Sequence, residues 1–424
     1  MAMRFIENTC LYQKQKKKLM HLALQLPEIV SHILSYLTVG NQQDEQNRVK
    51  IYQHIYPCLF VNALWHDCTI RLMWRHITFE DSKSEYEAFL NFAQAISNYP
   101  QAIQTMDINS PAVLAIAVPK ASSGLFFSQD KRLTFLKQQK RDTEPSKLIA
   151  FDTNGDTVRT TRSAAMQQSN MQSSLWTHQQ YQNAVRSISL KKIKDKTINE
   201  PLQHIGHYTK RLEKLDIYIC DHLSDSSIYT FIIHNHQSLT YLSLAGCNRI
   251  TDEAVLSVAK HCPRLEHLDL RACGLISDVS IQEIANQCPR LHHLNVGRVR
   301  DREKITSRSI KLIALKTQVA VLGLAGCDMT DECLVLLAKC RGAGLERISV
   351  NNCYRITNKS VQAYVKHCPN LSVFEMKECH WIDDWGSVAE LVQRKVLLTL
   401  CDQQNRACAE WARQRGRIME VKAR

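Results

Sequence analysis

A pattern of leucines and cysteines recurs through the second half of this chain at a nearly fixed interval. The stretch "LEHLDLRAC", Leu265 to Cys273, has counterparts starting at Leu212, Leu239, Leu291, Val319, Leu345 and Leu371. The intervals between successive starts are 27, 26, 26, 28, 26 and 26 residues. A worn copy, "VRSISLKKI", begins one period earlier at Val185, and "LLTL" at Leu397 follows one period after the last. A repeat this short cannot bury a core alone, so the units must stack and share one.

Within a unit two periodicities are legible. Leu265, Leu268, Leu270 and Cys273 are spaced to point inward from a strand, while His267, Asp269 and Arg271 alternate outward. Ile281, Ile284 and Ala285 then follow at helical spacing. Asp225, Asp252, Asp278 and Asp331 stand before the helices, where they read as caps or turn acceptors. Pro263, Pro289 and Pro369 close helices and lead into the next strand. Period and pattern match the leucine-rich repeat, one strand and one helix per unit.

The recurring cysteine could be a metal ligand, a disulfide partner, a nucleophile or a structural residue. Among sixteen cysteines no C-x-x-C pair occurs, so the zinc signature is missing. A straight row of cysteines at strand spacing cannot surround a metal tetrahedrally. A buried ladder of small side chains is the expected reading. Residues 1–22 carry five basic groups and one acidic, with no apolar stretch of the length a secretory signal needs. Reduced thiols in the cytoplasm and/or nucleus are therefore expected. The net charge of +13 is spread along the chain, compatible with acidic partners, but without an aromatic-interleaved basic patch nucleic acid is not expected as a partner. No apolar run has the length of a membrane span. No phosphate loop, nucleophile elbow, zincin motif or calcium loop is found, so no cofactor, metal or catalytic residue is assigned.

Upstream, "LQLPEIVSHILSYL" places Leu26, Ile29, Val30, Ile33, Leu34 and Leu37 on one helical face, with Pro27 in the first turn. Leu59, Val61, Trp65, Leu72 and Trp74 follow at helical intervals. A helix from Glu85 to Ser97 and a possible first strand at "IQTMDI" come next. From 119 the apolar pattern dissolves: in residues 153–174, thirteen of 22 are Ser, Thr, Asn or Gln, which reads as a disordered insertion. The expected organisation is a basic tail at 1–22, a helical module at 23–80 and a helix with a possible first repeat or N-cap at 81–118. The insertion at 119–180, the repeats at 183–395 and a C-terminal cap with a basic tail at 396–424 complete it. The fourth repeat departs from the others. Val299 stands where cysteine belongs, and Arg298, Arg300, Asp301, Arg302 and Lys304 are expected to project as a charged bulge.

These motifs carry a resemblance. The repeats resemble the cysteine-containing leucine-rich repeat, and "LPEIVSHILSYL…VNALWHDC…LMW" resembles the F-box. Together they resemble the F-box and leucine-rich-repeat proteins, and the layout is similar to that of the fungal antagonist of mitotic exit network proteins. The resemblance implies an α/β solenoid, a right-handed leucine-rich-repeat horseshoe, with an N-terminal all-α F-box-like module. It implies a non-catalytic substrate receptor of an SCF-type ubiquitin ligase, or alternatively a scaffold or inhibitor of a mitotic-exit regulator. Leu26, Pro27, Ile29, Ile33, Leu34, Leu37, Val61 and Trp65 would meet a Skp adaptor and through it a cullin-based ligase. A target protein would meet the concave face, where strand alternation puts Tyr218, Tyr241, His267, Asp269, Arg271, His293, Asn295, Arg347 and Asn351, with Lys214, Asp216, Glu375 and Lys377 beside them.

Overall fold

The computed structural model describes residues 22–38, 55–96, 179–416 and 418–419. Among the described residues, ten parallel strands lie side by side in sequence order in one open sheet, the arrangement of a solenoid. They are β1 (His76–Phe79), β2 (Ser187–Lys191), β3 (Lys214–Tyr218), β4 (Tyr241–Ser243), β5 (His267–Asp269), β6 (His293–Asn295), β7 (Val321–Gly323), β8 (Arg347–Ser349), β9 (Val373–Glu375) and β10 (Leu397–Thr399).

The helices are α1 (Pro27–Thr38), α2 (Ala63–Met73), α3 (Lys83–Ile96), α4 (Asn199–Tyr208), α5 (Asp225–Asn235), α6 (Asp252–His261), α7 (Asp278–Gln287), α8 (Ser307–Lys316), α9 (Asp331–Arg341), α10 (Asn358–His367), α11 (Trp385–Gln393) and α12 (Asp402–Arg413). One layer of strands therefore backs onto one layer of helices.

The leucine pattern sets the register. Leu215, Leu242, Leu268, Leu294, Leu322, Ile348 and Phe374 face one another across successive strands, and all are buried. Ile281, Ile284 and Ala285 of α7 meet this core from the helix layer. Such a row of apolar side chains, each covered by the units beside it, is the continuous core that isolated repeats lack.

The ladder cysteines face inward and donate across the repeat boundary. Cys273 Sγ lies 3.1 Å from the Leu244 carbonyl, Cys327 Sγ 3.4 Å from that of Val296, and Cys353 Sγ 3.3 Å from that of Leu324. Cys379 Sγ lies 3.1 Å from the Val350 carbonyl. Burial pushes the Cys273 and Cys327 thiols up to about 12. These are thiols that keep their protons and spend them on backbone. All cysteines among the described residues are free.

What turns each cysteine inward is the residue before it. Ile219, Gly246, Ala272, Gly326, Asn352 and Glu378 all have positive φ, each one position ahead of a ladder cysteine. This left-handed residue breaks the strand's alternation and aims the next side chain at the core.

A second ladder is polar and was only half anticipated. Asp252, Asp278 and Asp331 begin helices, yet their carboxylates serve the following repeat. Asp278 accepts the Thr306 amide at 2.9 Å and the Ser309 hydroxyl at 2.6 Å. Asp252 accepts the Ser277 amide at 2.8 Å, and Asp331 the Thr357 amide at 2.8 Å. Ser277, Thr306 and Thr357 are the N-caps of α7, α8 and α10, and their hydroxyls accept from their own helices. Each acidic residue thus orients the cap of the next helix.

Two differences from the sequence reading concern the N-terminal region. The first strand is β1, formed by "HITF" within the stretch read as helical, and it pairs in parallel with β2. The candidate strand "IQTMDI" lies outside the described residues, as does nearly all of the 119–180 insertion. The helix expected from Glu85 is α3, where Phe89, Phe92 and Ile96 are buried.

Candidate interaction surfaces

The first candidate surface is the outer row of the sheet. Strand register brings Lys214, Tyr241, His267 and His293 into line. The Lys214 ammonium lies 4.1 Å from the centre of the Tyr241 ring. Tyr241 and His267 stack at 3.9 Å and 11°, and His267 and His293 at 3.8 Å and 20°. Parallel strands about 4.8 Å apart put planar side chains at near-stacking distance, and a slight lean closes the gap.

The stack is uncharged at neutral pH. Burial is the largest cause holding His267 down at about 3, followed by the neighbouring His293, Lys214 and Arg271. Burial also lowers His293. Burial and then the carboxylates of Asp216 and Asp269 push the Tyr241 hydroxyl up to about 12. The Nε2 atom of His267 is sealed from water without a hydrogen-bond partner.

Around the stack, charges are paired. Arg271 reaches back to Asp269, with Nε 3.0 Å from both carboxylate oxygens. Asp269 is buried, so it positions Arg271 and does not itself face a ligand, a correction to its expected place on the open surface. Asn295 is also committed: its Oδ1 accepts the Gly297 amide at 3.1 Å, and its side chain lies over Gly323, where a Cβ would clash. Farther along, Arg347 pairs with Glu375, and Asn351 accepts the Lys377 amide at 2.7 Å. Tyr218 and Arg347 are exposed, and Tyr241, His267, His293 and Asn351 are half-buried. The surface can stack, accept and donate, with its charges neutralised in place.

The fourth repeat corrects another expectation. Arg298 is buried, with Nη2 3.0 Å from the Ile276 carbonyl and Nη1 3.1 Å from that of Asp301. Residue 298 lacks the left-handed conformation that its counterparts have. Strand alternation therefore runs one step further, sending Arg298 inward and Val299 out into solvent. The turn comes instead at Asp301, with φ of 51°. Arg302 and Lys304 are also engaged, Arg302 on the Asn352 carbonyl and the Tyr354 ring and Lys304 on the Gly274 carbonyl. The insertion is a clamp on its neighbours more than a free bulge.

The second candidate surface belongs to the N-terminal helices. Leu26, Ile29 and Leu37 on or beside α1 and Val61 ahead of α2 are exposed, as is Pro27. Ile33 and Trp65 are half-buried, Trp65 packing against the core. Leu34 is fully buried with Val30. That removes Leu34 from any adaptor contact, because α1 turns this stripe onto α2. Tyr36 and Phe60, not anticipated, add large exposed apolar area. Their neighbourhood in sequence was the one available signal.

Residues 207–381 match the family model for the LRR repeats of an FBD-associated F-box protein. The solenoid is therefore built of leucine-rich repeats over these residues. Its relatives include antagonist of mitotic exit network protein 1 of Eremothecium gossypii, 35% identical over 246 residues, which are 50% of this chain and 55% of that one. The Yarrowia lipolytica protein of the same name is 46% identical over 151 residues, 36% of this chain and 21% of that one. The Saccharomyces cerevisiae one is 33% identical over 192 residues, 44% and 29% of the two chains. The chain thus matches about half the length of the first relative and less of the others. A chain from the yeast Rad7 and Elc1 complex aligns over 90% of this chain and 93% of its own, at 15% identity and a TM-score of 0.43. No helix among the described residues is long and apolar enough to cross a membrane.

Proposed function

We propose that this chain is the substrate-recognition subunit of an SCF-type ubiquitin ligase. In this reading the N-terminal helices dock a Skp adaptor and the open face of the repeats holds a target protein. The observation that carries it is the apolar surface left uncovered by Leu26, Ile29, Tyr36, Leu37, Phe60 and Val61. A folded protein in water leaves such a patch open where another protein covers it. The resemblance of these helices to the F-box supplies the identity of that protein.

Target contact would centre on Tyr218, Tyr241, His267, Arg271, His293, Arg347 and Asn351, with Asp269 and Asn295 holding the surface in shape. The chain would contribute proximity, and the covalent chemistry would belong to its partners. It would act in the cytoplasm and/or nucleus, where such ligases meet their targets.

Co-expression with a Skp adaptor tests this. The intact chain should retain the adaptor through purification, and the Leu26→Asp, Val61→Asp double variant should lose it. A second reading rests on the name the relatives carry: a stoichiometric antagonist of a mitotic-exit regulator, binding through the repeats without ubiquitin. Failure of the intact chain to capture any adaptor would favour that reading.

A further inference from the structure

Most basic side chains that make ion pairs on the repeats meet a carboxylate of their own or a neighbouring unit: Arg271 with Asp269, Lys311 with Glu332, Arg347 with Glu375, Arg355 with Asp328. One place holds more cations than carboxylates. At the edge where the first strands begin, a pocket of about 380 Å³ is lined by Arg186, Lys210, Arg211, His234, His236 and Arg264, with Glu213 its one carboxylate. Arg75, just beyond the end of α2, extends the same positive region, whereas Arg71 in the last turn of α2 is paired with Asp67 at 2.8 Å.

The fold forces these cations together. The Arg75 carbonyl accepts the amides of Arg186 and Ser187, and the Arg186 carbonyl accepts those of Glu213 and Lys214. Arg75 and Arg186 therefore occupy equivalent places on adjacent strands, about 4.8 Å apart. Arg186 is anchored by its Nη1 on the carbonyls of Asn183 and Val185 and lies 3.3 Å from Glu213. Even so, burial and the nearby Arg211, Arg75 and Arg71 pull it below the ordinary arginine range. Arg264 is held over the pocket by a 3.1 Å bond to the Gln237 carbonyl. Lys210 and Arg75 each follow a helix C-terminus, where a cation is favoured anyway, but that accounts for single cations and not for their convergence on one edge.

We propose that this edge is a docking site for an extended acidic peptide segment of a protein partner, separate from the stacked face. From the start of β1 to the start of β5 is four strand spacings, roughly 19 Å. An extended peptide advances about 3.3 Å per residue, so about six residues would cover it. Arginine clusters recognise acidic motifs in this way. The absence of Trp, Tyr or Phe from the pocket lining argues against a single-stranded nucleic acid, which such sites hold by stacking bases on aromatic rings.

The test is fluorescence anisotropy on the full chain with labelled hexaglutamate, hexaglutamine and a six-nucleotide oligothymidylate. Hexaglutamate should bind, hexaglutamine should not, and the oligonucleotide should bind more weakly than hexaglutamate. The exposed Lys210→Glu, Arg211→Glu double variant should weaken hexaglutamate at least about tenfold, and Arg264→Glu should weaken it independently. Lys316→Glu, on the distant α8, should leave it unchanged. Equal binding by wild type and both pocket variants would overturn the proposal, as would tighter binding of the oligonucleotide.

Discussion

Asp278 holds Thr306 across a repeat boundary. The carboxylate opens one helix and accepts the backbone amide of the residue that caps the next, at 2.9 Å. The same carboxylate takes the hydroxyls of Thr306 and Ser309. Removing it leaves the Thr306 amide and hydroxyl without their acceptor in a part-buried seam, and Ser309 with only the Thr306 carbonyl. Asp278→Ala should lower unfolding stability by about 2–4 kcal/mol. Asp278→Asn should cost less, since Asn199 already does this work for Ser224 and Ser227. Urea midpoints of the two variants check the ordering.

The histidine stack makes stability depend on pH. The folded pKa of His267 is about 3, below the roughly 6.5 of an unfolded histidine. Between those values the unfolded chain binds a proton that the folded chain refuses, so stability falls as pH drops from about 6.5 toward 3. His267→Phe keeps a ring in the stack and removes the proton site. Its urea midpoint should decline less between pH 7 and pH 5 than that of the wild type.

The α1 segment separates packing from docking on its two sides. Leu34→Ala should cost about 2–5 kcal/mol through a cavity beneath α2. Leu26→Asp should leave the melting temperature nearly unchanged and abolish capture of a Skp adaptor. Equal loss of stability in both variants would show that Leu26 is also part of the packing.

Arg298 is the pin of the fourth repeat. Arg298→Ala leaves the carbonyls of Ile276 and Asp301 without their donor and opens a void, at a cost of roughly 2 kcal/mol. Hydrogen exchange should quicken in residues 299–305 first, with the strands on either side less affected.

Much of the fold was legible because leucines at fixed spacing admit one solution. Leu268 and Cys273 face the core as their spacing required. Arg298 was misread because alignment alone put Val299 in the cysteine's place. The deciding quantity was a backbone angle one residue earlier, which composition does not reveal. Strand β1 was missed for a different reason: four residues between helices carry no signature, and the partner β2 lies more than a hundred residues downstream. Asp278 was recognisable as a helix-start acceptor, but a period of 26 residues does not say whether it serves its own repeat or the next. Of the surface residues, alternation puts Tyr241, His267 and His293 in one outward row. Their stacking needed the strand register, and the burial of Asp269 needed its pairing with Arg271.

Strand β1 also settles a mechanical matter. The backbone of His76–Phe79 is hydrogen-bonded into the same sheet as the repeats, so among the described residues the apolar helices lead straight into the sheet that carries the stacked face. Anything gripped at one end is presented at a fixed bearing from anything gripped at the other. In a receptor built this way, which parts of a cargo fall within reach is decided by the cargo's own shape, as on a crane whose jib does not swing.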